Sequence, residues 1–368
     1  MRYIISGGGS GGHIFPAIAI AKAIEKRHSD ADILFVGAKG RMEMEKVPAA
    51  GYRIEGLPIA GLQRKMTLRN IGLNLLLPFK IIRSHTKARN IIRTFEPQVV
   101  IGVGGYASQP TLKAAGRMHI PIVIQEQNSF AGLTNRTLAR YANVICVAYD
   151  GMERFFPAEK IVMTGNPVRE EIEHAQVEKS EALTFFGLDS SRPVILSVGG
   201  SLGASSINRA IMHNLSYFCK KGIQLLWQTG RYMHDEAVAA VEAAHAGQWV
   251  KVHPFIARMD MAYAAADTII SRAGALAISE LTHIGKPLIL IPSPNVAEDH
   301  QTKNAMALVE KGAAMLLTDS QCSDNLTNTL NHIMDHPEEA HLMAEALHAL
   351  RIENTADKIV DQIDKLTT

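Results

Sequence analysis

Each half of this chain opens with a short β-branched run that ends in clustered glycines, and this duplication restricts the fold more than any other feature. Ile4-Ile5-Ser6 runs into Gly7-Gly8-Gly9-Ser10-Gly11-Gly12, and Ile195-Leu196-Ser197-Val198 runs into Gly199-Gly200-Ser201-Leu202-Gly203. A third run, Val100–Val103, closes on Gly104-Gly105. Buried strands are expected at Tyr3–Ser6, Ile33–Val36, Val99–Val103, Ile122–Gln125 and Val144–Val147. The second half repeats them at Val194–Val198, Gln224–Trp227, Val250–His253, Thr268–Ile270 and Leu288–Ile291. Amphipathic stretches such as Ala17–Lys26, Ser205–Phe218 and Gln301–Glu310 lie between. This alternation predicts α/β architecture, with parallel sheets covered by helices on both faces. Two such halves suggest twin Rossmann-like, doubly wound domains. Ligands of open α/β sheets bind at the carboxyl ends of strands, so two facing sheets would share a cleft.

The periodicity breaks in the middle, at Gly165-Asn-Pro-Val-Arg169 and the charged stretch Glu170–Glu181. Glycine and proline there place a boundary near Thr164. The expected domains are 1–164 and 165–349, with a helix at about 350–368 packing back on the first. At 368 residues, two domains are also the prior from length.

Composition removes several function classes. Hydrophobic residues make up 47% of the chain and charged residues 20%, which suits a globular protein with a sizeable core. A net charge of +2 gives no support to a nucleic-acid partner. Cys146, Cys219 and Cys322 lie far apart without metal-ligand spacing, as expected of buried thiols in a reducing compartment. No apolar run approaches the ~18–20 residues needed to span a bilayer. The first residues enter a glycine cluster at once, so no signal peptide is expected. The segment Arg53–Arg93 differs from the rest: nine Arg or Lys against the single acid Glu55. Apolar Leu73, Leu75–Leu77, Phe79, Ile81 and Ile82 interleave with Arg64, Lys65, Arg69, Lys80 and Arg83. A basic rim around apolar residues suits an anionic membrane surface, whereas sparse aromatics disfavour base stacking.

The glycine loops carry the chemistry. Gly7–Gly12 fits G-x-G-x-x-G, whose following helix offers N–H groups and a positive dipole end to an anion. The dehydrogenase version also wants an acid at the end of the second strand, but Phe35-Val36-Gly37 has none. His13 stands where a P-loop would need lysine, so nicotinamide and ATP readings both weaken. The hydrolase pattern G-x-S-x-G occurs at Ser10 and again at Ser201, and two copies fit a duplicated phosphate-binding loop better than one nucleophile. His13 follows the first loop and is a candidate base. Glu280 follows the turn Ser271-Arg-Ala-Gly274, where it could accept two ribose hydroxyls or merely complement the helix dipole. Asp299, His300 and Gln301 open a further helix at a place suited to sugar hydroxyls, or to a plain N-cap.

Taken in order, these motifs resemble the MurG family of GT-B glycosyltransferases, which transfer N-acetylglucosamine from UDP-GlcNAc to lipid I in peptidoglycan synthesis. The resemblance runs through Gly8-Gly-Ser-Gly-Gly-His13-Ile-Phe-Pro16, Gly104-Gly-Tyr-Ala-Ser108, Gln125-Glu-Gln-Asn128 and Ala131-Gly-Leu-Thr-Asn135. It continues through Gly165-Asn-Pro-Val-Arg169, Gly199-Gly-Ser-Leu-Gly-Ala204, Ser271-Arg-Ala-Gly-Ala275 and Asp299-His-Gln301 before Asn304-Ala305. Ser10 departs from the family's usual threonine but keeps the hydroxyl.

The resemblance implies two Rossmann-like domains with the donor held mainly by the second. It assigns Ile256 backbone groups to the uracil and Glu280 to the ribose hydroxyls. Ser201 and the helix start Ala275, Leu276, Ala277, Ile278 and Ser279 would surround the ribose and diphosphate. Asn128, Arg169 and Gln301 are further donor-site matches, with Gln301 on the sugar. Ser10, Gly11 and Gly12 would line the donor site and the acceptor diphosphate region, and Tyr106 would help shape the acceptor pocket. His13 is the first candidate base and Glu126 the second. Direct inversion at the anomeric carbon is expected, with lipid I and UDP-GlcNAc as partners, no tightly bound cofactor or metal, no nucleic acid, and peripheral attachment at the cytoplasmic face of the membrane. The alternative is another GT-B enzyme, such as a diacylglycerol glycosyltransferase or a UDP-GlcNAc epimerase.

Overall fold

In the strand Arg2–Ser6 (β1), alternate side chains enter two different cores. Tyr3 and Ile5 pack with Ile20 and Ile24 of the helix Gly11–Arg27, whereas Ile4 packs with Leu112 and Ala115 of the helix Ser108–Arg117. A period-2 strand that is apolar on both faces must be covered on both, and that makes β1 a central strand. The computed structural model describes residues 1–61, 77–200, 202–296 and 299–367. They form two units, Met1–Val168 with Ile352–Thr368, and Arg169–Arg351.

The first unit adds Asp32–Ala38 (β2), Arg53–Leu57 (β3), Val99–Gly102 (β4), Ile122–Glu126 (β5), Val144–Val147 (β6) and Ile161–Met163 (β7). All pair in parallel, in the order β3-β2-β1-β4-β5-β6-β7. The second unit contains Val194–Val198 (β8), Gln224–Gln228 (β9), Val250–His253 (β10), Thr268–Ser271 (β11), Leu288–Leu290 (β12) and Met315–Leu316 (β13). Its parallel order, β10-β9-β8-β11-β12-β13, repeats that of the first unit without a counterpart of β7. The strand order reverses between β1 and β4, and between β8 and β11. Those switch points open a crevice at the carboxyl ends of the strands. Every glycine loop singled out in the sequence follows one of these four strands.

Each expected strand is present. β3, β7 and β13 were not expected, and β3 falls inside the basic segment. The stretch Ser205–Phe218 is two helices, Ser205–His213 and Leu215–Lys221. Asn214 divides them: its side-chain amide donates to Ala210 O (2.8 Å) and Ser323 O (3.0 Å), competing with the helical ladder. Among the described residues, no helix is long and apolar enough to cross a membrane.

The units part between Val168 and Arg169, a few residues beyond the expected Thr164. Asn166 holds the intervening residues to the first unit. Its carbonyl oxygen accepts from Gln125 Nε2 (2.9 Å), and its amide donates to Gln127 O (3.0 Å). The helix Thr355–Asp364 also belongs to that unit, burying Ile359, Val360 and Ile363 in the core with Tyr3 and Ile5. Ile359→Val removes one buried methyl group there, and we expect a loss of about 1 kcal/mol in denaturant unfolding of the full chain. A loss below ~0.3 kcal/mol would show that this methyl group is not tightly packed in the core.

Candidate functional site

The second unit holds a cavity of about 520 Å³ at the carboxyl ends of its strands, within the range of small-ligand sites. Gly199, Gly200, Gly203 and Ala204 line it after β8, Gln228 ends β9, Ser271 ends β11, and Arg272 and Gly274 follow it. Arg169, Tyr263, Ala277, Glu280 and Gln301 complete its polar and apolar walls, with Phe255 and Ile256 beside them.

Glu280 is the anchor. Arg169 grips its carboxylate with two parallel bonds, Nε to Oε1 (2.7 Å) and Nη2 to Oε2 (3.0 Å), and the Tyr263 hydroxyl donates to Oε2 (3.3 Å). Burial works against the Arg169 charge, but the Glu280 pair outweighs it and raises the guanidinium pKa. Burial foremost, then Glu280, holds the Tyr263 phenol well above its ordinary range, so it stays a donor. Glu280 lies in the second turn of the helix Ala275–Ile284, so complementing the helix dipole is not its main use. A half-buried carboxylate fixed by a planar fork can exchange those donors for the paired hydroxyls of a sugar.

The helix start contributes unequally. Ala275, Leu276 and Ala277 are its first residues, whose N–H groups lack helical acceptors, and Ala277 lines the cavity. Ile278 is turned into the core, its N–H donates to Gly274 O (2.9 Å), and it is not among the described residues that line the cavity. Ser279 donates back to Ala275 O (3.1 Å). Ser201 lies outside the described residues. Gly203, two positions on, has φ +79° and no room for a side chain, because a Cβ would sit 1.9 Å from Thr229 O. Ile256 N–H donates to Gln228 Oε1 (2.8 Å), so any reading of a base through that N–H requires Gln228 to yield. Gln301 Oε1 accepts from Ser293 N–H (2.8 Å), which directs its amide hydrogens elsewhere. Asp299 caps no backbone N–H with its side chain, and its Oδ1 accepts from the Thr302 hydroxyl (2.7 Å).

In the first unit the loop after β1 leads into the helix Gly11–Arg27. Ser10 stands at its N-cap but makes no capping bond with its side chain, and its hydroxyl lies 3.0 Å from His13 Nδ1. Gly11 and Gly12 then offer first-turn N–H groups. Gly104 comes close to the far side of the imidazole, where a Cβ would be 3.1 Å from Nε2. Tyr106 packs its ring over Gly9, 3.2 Å from where a Cβ would stand. His13, Ser10 and Tyr106 thus gather at one switch point.

Glu126 has a different job. Its carboxylate is 2% exposed and accepts from Asn128 N–H (3.1 Å), Asn128 Nδ2 (3.2 Å), Gly132 N–H (3.0 Å) and Asn135 Nδ2 (2.9 Å). With both oxygens so occupied it braces the loop 128–135 and is poorly placed to take a substrate proton. Asn128 spends its amide on that brace, and it is not among the described residues that line the cavity of the second unit.

Sequence reasoning passed over Tyr263, Gln228 and Arg272. Gln228 carried a signal, a polar residue terminating an apolar strand. Arg272 lines the cavity yet is held by the framework, with Nη1 donating to Ile291 O (2.9 Å) and Asp319 Oδ1 (2.5 Å) and Nη2 to Ser206 Oγ (2.7 Å). Tyr263 carried none, since a tyrosine within an alanine-rich helix reads as core. Among the described residues no group of three or more His, Cys, Asp or Glu gathers as metal ligands would.

Comparison with known proteins follows the same division. The N-terminal domain of glycosyltransferase family 28 matches residues 3–147, and the C-terminal domain of that family matches 194–363. The chain is 52% identical over 365 residues to a Parabacteroides distasonis protein, covering 99% of this chain and 98% of the other. A Porphyromonas gingivalis relative is 53% identical over 367 residues, covering 100% and 96%. Both are named UDP-N-acetylglucosamine–N-acetylmuramyl-(pentapeptide) pyrophosphoryl-undecaprenol N-acetylglucosamine transferase. Among solved structures, Acinetobacter baumannii MurG superposes with a TM-score of 0.80 at 29% identity over 99% of each chain. The Neisseria meningitidis UDP-GlcNAc 2-epimerase bound to UDP-GlcNAc matches with a TM-score of 0.68 at 15% identity, over 99% of this chain and 100% of the other, a likeness of fold alone.

Proposed function

The chain belongs to glycosyltransferase family 28, and from that premise we propose how it works. It is an inverting N-acetylglucosaminyltransferase that moves GlcNAc from UDP-GlcNAc to the 4-hydroxyl of MurNAc in lipid I, forming lipid II for peptidoglycan synthesis. One observation carries this reading: half-identity over the full length to enzymes of a single transferase name. The diacylglycerol transferase and epimerase alternatives gain nothing comparable.

The donor belongs to the second unit. Glu280 takes the ribose hydroxyls in place of Arg169, and the freed guanidinium remains in the cavity as a cation for the nucleotide. The loop at Gly199–Gly203 and the N–H groups of Ala275–Ala277 meet the diphosphate, and the Gln301 amide meets sugar hydroxyls. UDP leaves with growing negative charge, which fixed N–H dipoles stabilise without reorganising. The reading requires no resident cofactor or metal.

The acceptor belongs to the first unit. Its diphosphate falls to the N–H groups at Gly11 and Gly12, beside the Tyr106 ring. A sugar hydroxyl is a weak nucleophile, so a base must take its proton as it attacks the anomeric carbon. With His13 Nδ1–H donating to Ser10 Oγ, Nε2 carries the lone pair that accepts the proton. Attack opposite the departing UDP converts the α-linked donor into a β-linked product.

The purified protein, incubated with UDP-GlcNAc and a short-chain lipid I analogue, should release UDP and yield a product heavier by one GlcNAc residue. UDP release without disaccharide would overturn the acceptor assignment.

A lipid-linked acceptor stays in the bilayer, so the enzyme must reach the membrane surface, on this reading from the cytoplasmic side. The helix Leu77–Phe95 supports this: Phe79 and Ile82 are 73% and 66% exposed at its start, next to exposed Arg83. Of the proposed patch, Arg64, Lys65, Arg69, Leu73, Leu75 and Leu76 lie outside the described residues. Each basic residue near an anionic surface contributes about 1 kcal/mol, screened by salt. We expect the combined Phe79→Ser, Ile82→Ser and Arg83→Glu variant to sediment with anionic vesicles roughly five- to tenfold less well, with UDP affinity kept. Parental sedimentation would place the membrane contact elsewhere.

A further inference from the structure

Glu43 lies beneath the first glycine loop with 1% exposure, and no step above uses it. It opens the helix Glu43–Ala49. Its Oε1 accepts from Ala38 N–H (3.0 Å) and its Oε2 from Gly9 N–H (3.1 Å), so the carboxylate staples the end of β2 to the loop after β1. The neighbouring glycines leave room for it. A Cβ on Gly8 would stand 2.3 Å from Glu43 Oε1, and one on Gly37 would stand 2.6 Å from Glu43 Cγ. Gly8 and Gly9 have φ of +143° and +89°, conformations that side-chain-bearing residues rarely adopt. Tyr106 closes the other side of Gly9; burial raises its phenol pKa, while Arg41 pulls it down and Glu43 pushes it up.

The sign of this charge works against an anionic ligand at the loop, so its contribution is geometric. It draws the Gly9 N–H inward and fixes the backbone one residue before Ser10. That leaves Ser10 with its hydroxyl on His13, and leaves the Gly11 and Gly12 N–H groups at the open helix start. An unpaired buried carboxylate would be costly, and here each oxygen has an N–H partner.

We propose that Glu43 is a positioning residue for the transfer reaction, setting through Gly8-Gly9 the place from which Ser10 holds His13. The inference rests on the transferase reading above. Glu43→Gln keeps the shape but must turn its NH2 toward one of the two N–H donors, breaking that bond. Its kcat with UDP-GlcNAc and the lipid I analogue should fall about 30-fold, since small misplacements of reacting groups are expensive. The KM for UDP-GlcNAc and the calorimetric affinity for UDP should stay within about twofold. Glu43→Asp, which retains both acceptor oxygens on a shorter stem, should recover part of the loss.

A kcat within about twofold of the parent overturns the proposal, as does a kcat loss matched by an equal loss of UDP affinity. Should Glu43→Gln fail to accumulate as folded protein, Gly8→Ala provides the second test. It keeps Glu43 and presses a methyl group on its carboxylate, so it must show the same split; a parental kcat there overturns the proposal too. A parent enzyme that makes no disaccharide defeats the transferase reading and this inference with it. An active parent with an equally active Glu43→Gln defeats this inference alone.

Discussion

Replacing His13 by alanine is expected to lower turnover by roughly 10²-fold or more, the ordinary weight of a general base, and to leave UDP affinity within about twofold. Two features motivate the size of the effect. His13 stands at the β1–β4 switch point, where the Ser10 hydroxyl lies 3.0 Å from its Nδ1, which on the proposed reading leaves Nε2 for the acceptor. The rival carboxylate, Glu126, is buried under four hydrogen bonds, so it is poorly placed to substitute. Single-turnover rates with the lipid I analogue, paired with UDP calorimetry, separate the chemical step from donor binding. Near-normal turnover in folded His13→Ala would remove it as the base.

The second large effect falls on the donor. Glu280→Ala should weaken UDP by about 3 kcal/mol, roughly 10²-fold, because two hydrogen bonds to a charged acceptor are lost together. The variant also strands Arg169 and the Tyr263 hydroxyl, which now share the carboxylate. Glu280→Gln retains one acceptor oxygen and should lose about tenfold. Unchanged UDP affinity in either folded variant would end the ribose assignment. His13→Ala and Glu280→Ala should therefore divide cleanly, one affecting rate and the other affinity, as the placement of the two residues in separate units requires.

The fold was legible wherever strands are apolar on both faces. Tyr3–Ser6 and Val194–Val198 announce themselves because a central parallel strand has no polar face to hide them. β3, Arg53-Ile-Glu-Gly-Leu57, escaped because an edge strand keeps charged residues exposed, and β7 and β13 are too short to show a period. The helix break at Asn214 depends on an acceptor at Ser323, more than a hundred positions away, which no local window can contain.

The site was legible in part. Glycine loops betray themselves by composition, and Glu280 and His13 by following them. Glu126 was the second candidate base, and only its burial and its four N–H donors reveal a brace. Glu43 gave no signal at all. The absence of an acid at the end of β2 weakened the nicotinamide reading and gave no hint that an acid from the next helix fills the space beneath the loop.

The helix Thr355–Asp364 has a consequence for how the protein is made. The core around Tyr3, Ile5, Ile20 and Ile24 is sealed by Ile359, Val360 and Ile363, and the whole of Arg169–Arg351 is synthesised in between. On the ribosome, which adds ~5–20 residues per second, that apolar face therefore waits tens of seconds for its cover while the second unit is already free to fold. A chain halted before residue 352 is therefore expected to leave that face open to aggregation.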